Sequence, residues 1–131
     1  MTDLLRNLFF VAIGGALGAL ARFGAAQWLH ALHPARFPLA TLAINASGSF
    51  LIGIAWVAIA ERGVLHADWR SILMVGFLGS YTTFSTFSLE TVTLLEHGYA
   101  AQAIANVLLS VLVCVGGAWA GIGVARLLWS A

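Results

Sequence analysis

Five hydroxyls and two phenyl rings follow one another in Thr82-Thr83-Phe84-Ser85-Thr86-Phe87-Ser88, inside an otherwise apolar stretch. At bilayer depth such a cluster is costly unless it faces other protein, water or a permeating species. At helical spacing Thr82, Ser85 and Ser88 form one row, Thr83 and Thr86 run beside them, and Phe84 and Phe87 form a third. A hydroxyl strip therefore lies next to a phenyl strip. That pairing suits a small anion, because hydroxyls donate hydrogen bonds and the edge of a phenyl ring carries partial positive charge. Neither holds an anion as tightly as a full cation would, so the ion can leave again. A cation would prefer ring faces or carboxylates. Core packing would account for the two phenylalanines alone, but not for the whole run.

Just ahead stands Gly76-Phe77-Leu78-Gly79-Ser80-Tyr81. Two glycines and two hydroxyl-bearing residues midway along a span predict a break in the helix. A break frees carbonyl oxygens and amide hydrogens at membrane depth, and transporters use such groups to hold ions.

Other polar residues stand alone in apolar surroundings. Arg22 reads either as an interfacial anchor or salt-bridge partner, or as a cation drawing an anion into a vestibule. Asn45 is either interhelical glue or a pore-lining donor. Glu90 is the one carboxylate inside a span, three residues after Phe87. It has three candidate roles: pairing with Arg22, carrying protons, or sitting in a wet vestibule. Asn106 and Ser110 lie four apart, hence on one helical face, and Cys114 is next in that row. Serine can also bond back to its own helix.

These groups need helices to hold them. The 131 residues are 61% hydrophobic and 8% charged, with mean hydropathy +0.96. Soluble domains carry about 25% charged residues, so this is an integral membrane protein. Four spans are expected, at about residues 8–29, 37–60, 69–95 and 100–125. Each exceeds the roughly 20 residues that cross a bilayer. The first is too long for a signal-peptide core and reads as retained. The links are short and leave no room for a soluble domain, so the expected fold is all-α, one transmembrane domain with its third helix broken.

Four spans put both termini on one side, with Arg6, Arg62, Arg70 and Arg126 there against Arg36 and Arg22. The bias favours termini inside. Cys114 is the only cysteine, which excludes a disulfide framework or a thiolate metal site within one chain. The net charge of +1 and the lack of a basic patch leave nothing for nucleic acid. His30, His33, His66 and His97 all lie in links, without a partnered nucleophile, so an enzyme is not expected. Gly14/Gly18, Ser49/Gly53 and Gly117/Gly121 are small pairs four apart that let helix backbones approach closely. Four helices enclose little space for a solute, so at least a dimer is expected.

The chain resembles the CrcB/Fluc fluoride channels. The closest match is the run from Thr82 to Ser88 with Glu90 following. It continues in Gly14-Gly15-Ala16-Leu17-Gly18-Ala19 with Arg22, and in Thr41-Leu42, Asn45, Gly48, Phe50 and Gly53. The resemblance implies a passive, fluoride-selective channel of the bacterial inner membrane that exports cytoplasmic fluoride. It implies an antiparallel, dual-topology homodimer with two pores. Phe84 and Phe87 match the family's pore-lining rings and Asn45 its pore asparagine. Thr83, Ser85 and Ser110 match or neighbour its polar track. Arg22 matches the basic vestibule residue and Glu90 the pore-adjacent glutamate. Gly79 and Thr82 match positions whose backbone carbonyls hold a structural sodium ion at the dimer interface. The family usually has Gly-Gly before Thr-Thr-Phe, whereas this chain has Gly79-Ser80-Tyr81, and Ala40 stands where glycine is common. A small drug/proton antiporter, the nearest rival, relies on a glutamate in its first span, which this chain lacks. A structural subunit would explain the glycines but not the hydroxyl-phenyl run.

Overall fold

The computed structural model describes residues 1–130. Its regular structure there is entirely helical. Helix α1 (Thr2–Leu32) is followed by α2 (Leu39–Trp56), which continues as a π-helical turn, Val57–Glu61. The third span opens with a π-helical segment, Arg70–Leu78, then the single turn α3 (Gly79–Tyr81), and resumes after a gap as α4 (Phe84–Glu96). Helix α5 (Ala100–Leu128) completes the chain. All four spans are long and apolar enough to cross a membrane.

Helices α1 and α5 outrun the apolar windows expected from hydropathy. Helix α1 begins at Thr2 rather than near Leu8, and α5 runs on to Leu128. Hydropathy marks only the hydrocarbon-facing part, whereas intrahelical hydrogen bonds continue into the headgroup region. The turn from α4 to α5 closes through Gly98, whose φ of 81° lies in the left-handed region that favours glycine.

Two packed pairs form the body. Helix α1 lies along Arg70–Leu78, and α2 lies along α5. The small residues make both contacts. A Cβ added to Gly14 or Gly18 would run into the backbone carbonyls of Ile72 and Phe77. One on Gly53 would meet the Ala118 carbonyl, and one on Gly121 the Phe50 carbonyl. In lipid no hydrophobic drive pulls helices together, so close backbone approach supplies the dispersion energy. The glycine pairs thus serve packing within one chain. Leu20, Phe23, Trp119 and Leu127 point outward, as a hydrocarbon solvent permits. At one end Arg126 donates to both Glu61 carboxylate oxygens, at 2.6 and 3.0 Å, and so ties α5 to the end of the second span.

The third span does break near its middle, at Thr82 and Thr83. Both residues are extended, with ψ of 158° at Thr82 and of 122° at Thr83. Threonine hydroxyls offer the backbone partners other than the helical ladder. The Thr82 hydroxyl donates back to the Leu78 carbonyl at 2.9 Å and closes the end of α3. The Thr83 hydroxyl accepts from the Thr86 N–H at 3.2 Å and starts α4 as its N-cap.

Candidate functional site

Asn45 holds the break open from α2. Its Nδ2 donates to the Thr83 carbonyl at 2.9 Å, and its Oδ1 accepts from the Thr83 N–H at 2.7 Å. One side-chain amide thus satisfies both backbone groups of one extended residue, as a neighbouring strand would. Asn45 therefore ties helices together and, with one N–H to spare, also faces a cavity.

The rerouted hydrogen bonds have a second consequence. In a continuous helix the Thr83 N–H would go to the Gly79 carbonyl, and the Thr86 N–H to the Thr82 carbonyl. Here they go to Asn45 Oδ1 and Thr83 Oγ1. The carbonyls of Gly79 and Thr82 are left without their helical donors. The Ser80 Oγ lies beside Gly15 of α1, 3.3 Å from where a Cβ there would sit. Tyr81 stacks on Phe77 at 6.1 Å and shares a 3.0 Å hydrogen bond with Ser47.

Three cavities surround the break and the helix that follows it. One of about 350 Å³ is lined by Asn45, Thr83, Phe84, Phe87, Ser110 and Cys114 among others. The two phenyl rings that line it are 5.4 Å apart and tilted by 51° to one another. A second cavity, of about 410 Å³, holds Arg22 with Thr41, Thr83 and Thr86. Thr83 lines both, standing between the basic space and the phenyl space. A third, of about 530 Å³, opens at the Arg36 and His97 end and includes Glu90 and Thr93.

Within the single chain Phe87 is 9% exposed and Phe84 is 79% exposed. Ser85 and Thr86 are exposed beside Phe84. The Thr83 hydroxyl donates to Thr86 Oγ1 at 3.1 Å, and Ser85 Oγ lies 3.3 Å from it. The hydroxyls so form a connected cluster on the outer side of the break.

Pairing of Glu90 with Arg22, one of three roles open to that carboxylate, is not what forms. Glu90 Oε1 accepts from the Thr41 hydroxyl at 2.7 Å, and Oε2 is buried without a hydrogen-bond partner. Arg22 lies in the neighbouring cavity with Thr41, which lines only that one. Thr41 is four residues before Asn45, so one face of α2 carries both contacts to the third span. That spacing was the available signal. Two further contacts carry no comparable signal. The Arg36 guanidinium sits 4.0 Å from the Tyr99 ring centroid, and Thr91 bonds to Asn106 at 2.9 Å. Both join residues of different links or helices.

The profile of the family described as CrcB-like protein, Camphor Resistance (CrcB), matches residues 9–122. The chain belongs to the CrcB family. Its CrcB relatives include the fluoride-specific ion channel FluC of Methylococcus capsulatus, 51% identical over 120 residues. That match takes in 92% of this chain but 53% of the relative, so the chain spans about half that protein's length. FluC of Coxiella burnetii is 44% identical over 122 residues, covering 92% of this chain and 98% of the relative. FluC of Hahella chejuensis is 45% identical, covering 93% and 96%. Four spans and bacterial channel relatives make this CrcB protein a multi-pass protein of the bacterial inner membrane.

Proposed function

We propose that this protein is a passive, fluoride-selective channel that lets cytoplasmic fluoride out of the cell and so relieves its toxicity. The observation that carries the reading is the broken third span, where hydroxyls and phenyl rings meet in one cavity beside Asn45. The relatives named fluoride-specific channels supply the ion. An inside-negative potential drives any anion outward through an open pore, at about 2.3 kcal/mol per charge per 100 mV, so export needs no pump.

In this reading Arg22 raises the anion concentration near the break. Ser85, with Ser110 across the cavity, donates hydrogen bonds to the passing ion, and Thr83, whose own proton goes to Thr86, anchors the hydroxyl cluster beside it. Phe84 and Phe87 offer ring edges. Asn45 keeps the break open, and Glu90, tethered to Thr41, borders the path. A second copy of the chain completes the walls. Phe84, Ser85 and Thr86 are exposed in one chain at membrane depth, where hydroxyls need protein or water. An antiparallel homodimer with two pores meets that need.

The freed carbonyls of Gly79 and Thr82 fit a hard cation such as sodium, which takes neutral oxygen ligands. Bound between two copies, sodium would supply the charge that holds four facing carbonyls together. The test of the reading against proton-coupled antiport is fluoride flux under an imposed pH gradient. A channel gives the same flux with and without the gradient; flux that follows the proton gradient contradicts it.

A further inference from the structure

Asn106 is 1% exposed on α5 and ranks with Leu78 and Val57 among the largest fully buried side chains. A buried amide in an apolar helix is costly unless satisfied, and its partners here are specific. Nδ2 donates to Thr91 Oγ1 on α4 at 2.9 Å. The Thr91 hydroxyl in turn donates to the Phe87 carbonyl at 2.8 Å. On the other side the Ser110 hydroxyl donates to Asn106 Oδ1 at 3.5 Å.

The polarity of this chain is fixed by its end. Thr91 spends its one proton on a carbonyl, which can only accept, so it must accept from Asn106. That places the amide nitrogen toward Thr91 and the oxygen toward Ser110. Ser110, the donor in that pair, keeps its proton only loosely engaged. Its tie is long, near the limit for a hydrogen bond, so an anion can draw the proton away at little cost.

We infer that Asn106 is a positioning residue of the pore: its amide, through Thr91, ties the Phe87 turn of α4 to the Ser110 stretch of α5 and sets the spacing of that cavity wall. The inference rests on the channel reading given above, since it assigns a role in the same cavity. Asn106 itself lies outside the lining; Phe87 and Ser110 are in it. Cys114, one helical turn beyond Ser110, also lines it and serves as a natural reporter.

The experiment compares wild type, Asn106→Leu, Thr91→Val and the double variant. Each is read in two ways, by fluoride efflux from liposomes and by the labelling rate of Cys114 with methyl methanethiosulfonate. Both single variants are expected to slow efflux about three- to tenfold, as befits one interhelical hydrogen bond in a membrane. Cys114 labelling should quicken at least about threefold, with the elution of the folded protein unchanged. The double variant should be no worse than the slower single, because both break one tie. Unchanged efflux and labelling in Asn106→Leu overturn the inference. So do losses that multiply in the double variant, which mark two independent packing defects. If Asn106→Leu does not fold, Thr91→Val decides alone, and wild-type behaviour there overturns it. If wild type moves no fluoride while labelling responds as expected, the tie stands and the ion assignment falls.

Discussion

Asn45 and the two phenylalanines carry the sharpest consequences at the scale of single residues. In Asn45→Asp the carboxylate still accepts from the Thr83 N–H but cannot donate to the Thr83 carbonyl, and it adds negative charge beside the anion path. An unsatisfied buried carbonyl costs about 1–3 kcal/mol, so fluoride efflux should fall by tenfold or more. Efflux within twofold of wild type from folded protein would show that the amide's donor is dispensable. Phe84→Ile and Phe87→Ile keep an apolar side chain but remove the ring edge. Each should reduce fluoride efflux while the protein elutes as wild type; full efflux in both would remove ring edges from the mechanism. The types and rows of these residues were readable from the chain. The partner of Asn45 was not, because the backbone groups of Thr83 become available only once the helix has broken. Glu90 is a similar case: Thr41 reaches it only after α2 and α4 have packed, and the four-residue spacing of Thr41 and Asn45 marks the face of α2 without choosing between Thr41 and Arg22 as its partner.

Among the elements, glycine contacts decide which helices pair. A Cβ on Gly18 would meet the Phe77 backbone, whereas one on Gly24, in the same helix, would meet nothing within 4 Å. Gly18→Ala should therefore destabilise the contact between α1 and Arg70–Leu78 by about 1–3 kcal/mol, the usual cost of overpacking. Thermal unfolding in detergent should show a lower midpoint for Gly18→Ala and none for Gly24→Ala, which gains helix propensity. Equal midpoints for both would mean that the close approach is not what holds the pair. The spans were legible because hydropathy and length set them directly. The π-helical stretches Val57–Glu61 and Arg70–Leu78 were not, since no residue pattern marks a turn one residue wider. The break was anticipated from Gly79 and the hydroxyls. It falls at Thr82 and Thr83, three and four residues past Gly79, where the Thr82 hydroxyl and the Asn45 amide take up the backbone groups.

For the whole molecule, the proposed second copy would cover the outward hydroxyls around Phe84 and face the freed carbonyls of Gly79 and Thr82. If sodium bridges such carbonyls in the proposed dimer, replacing it throughout by N-methyl-D-glucamine should lower the protein's thermal midpoint and slow efflux, and sodium should restore both. Indifference to the exchange would remove the ion from the account. The number of copies was not legible in the chain, because a lipid-facing helix and a partner-facing helix are equally apolar. The most direct test of the central claim is fluoride efflux from liposomes holding the purified protein, read with a fluoride electrode, with valinomycin and potassium carrying the compensating charge. Fast fluoride efflux that requires valinomycin is expected, with no comparable chloride efflux. No fluoride efflux from demonstrably folded protein, or equal passage of chloride, would contradict that claim.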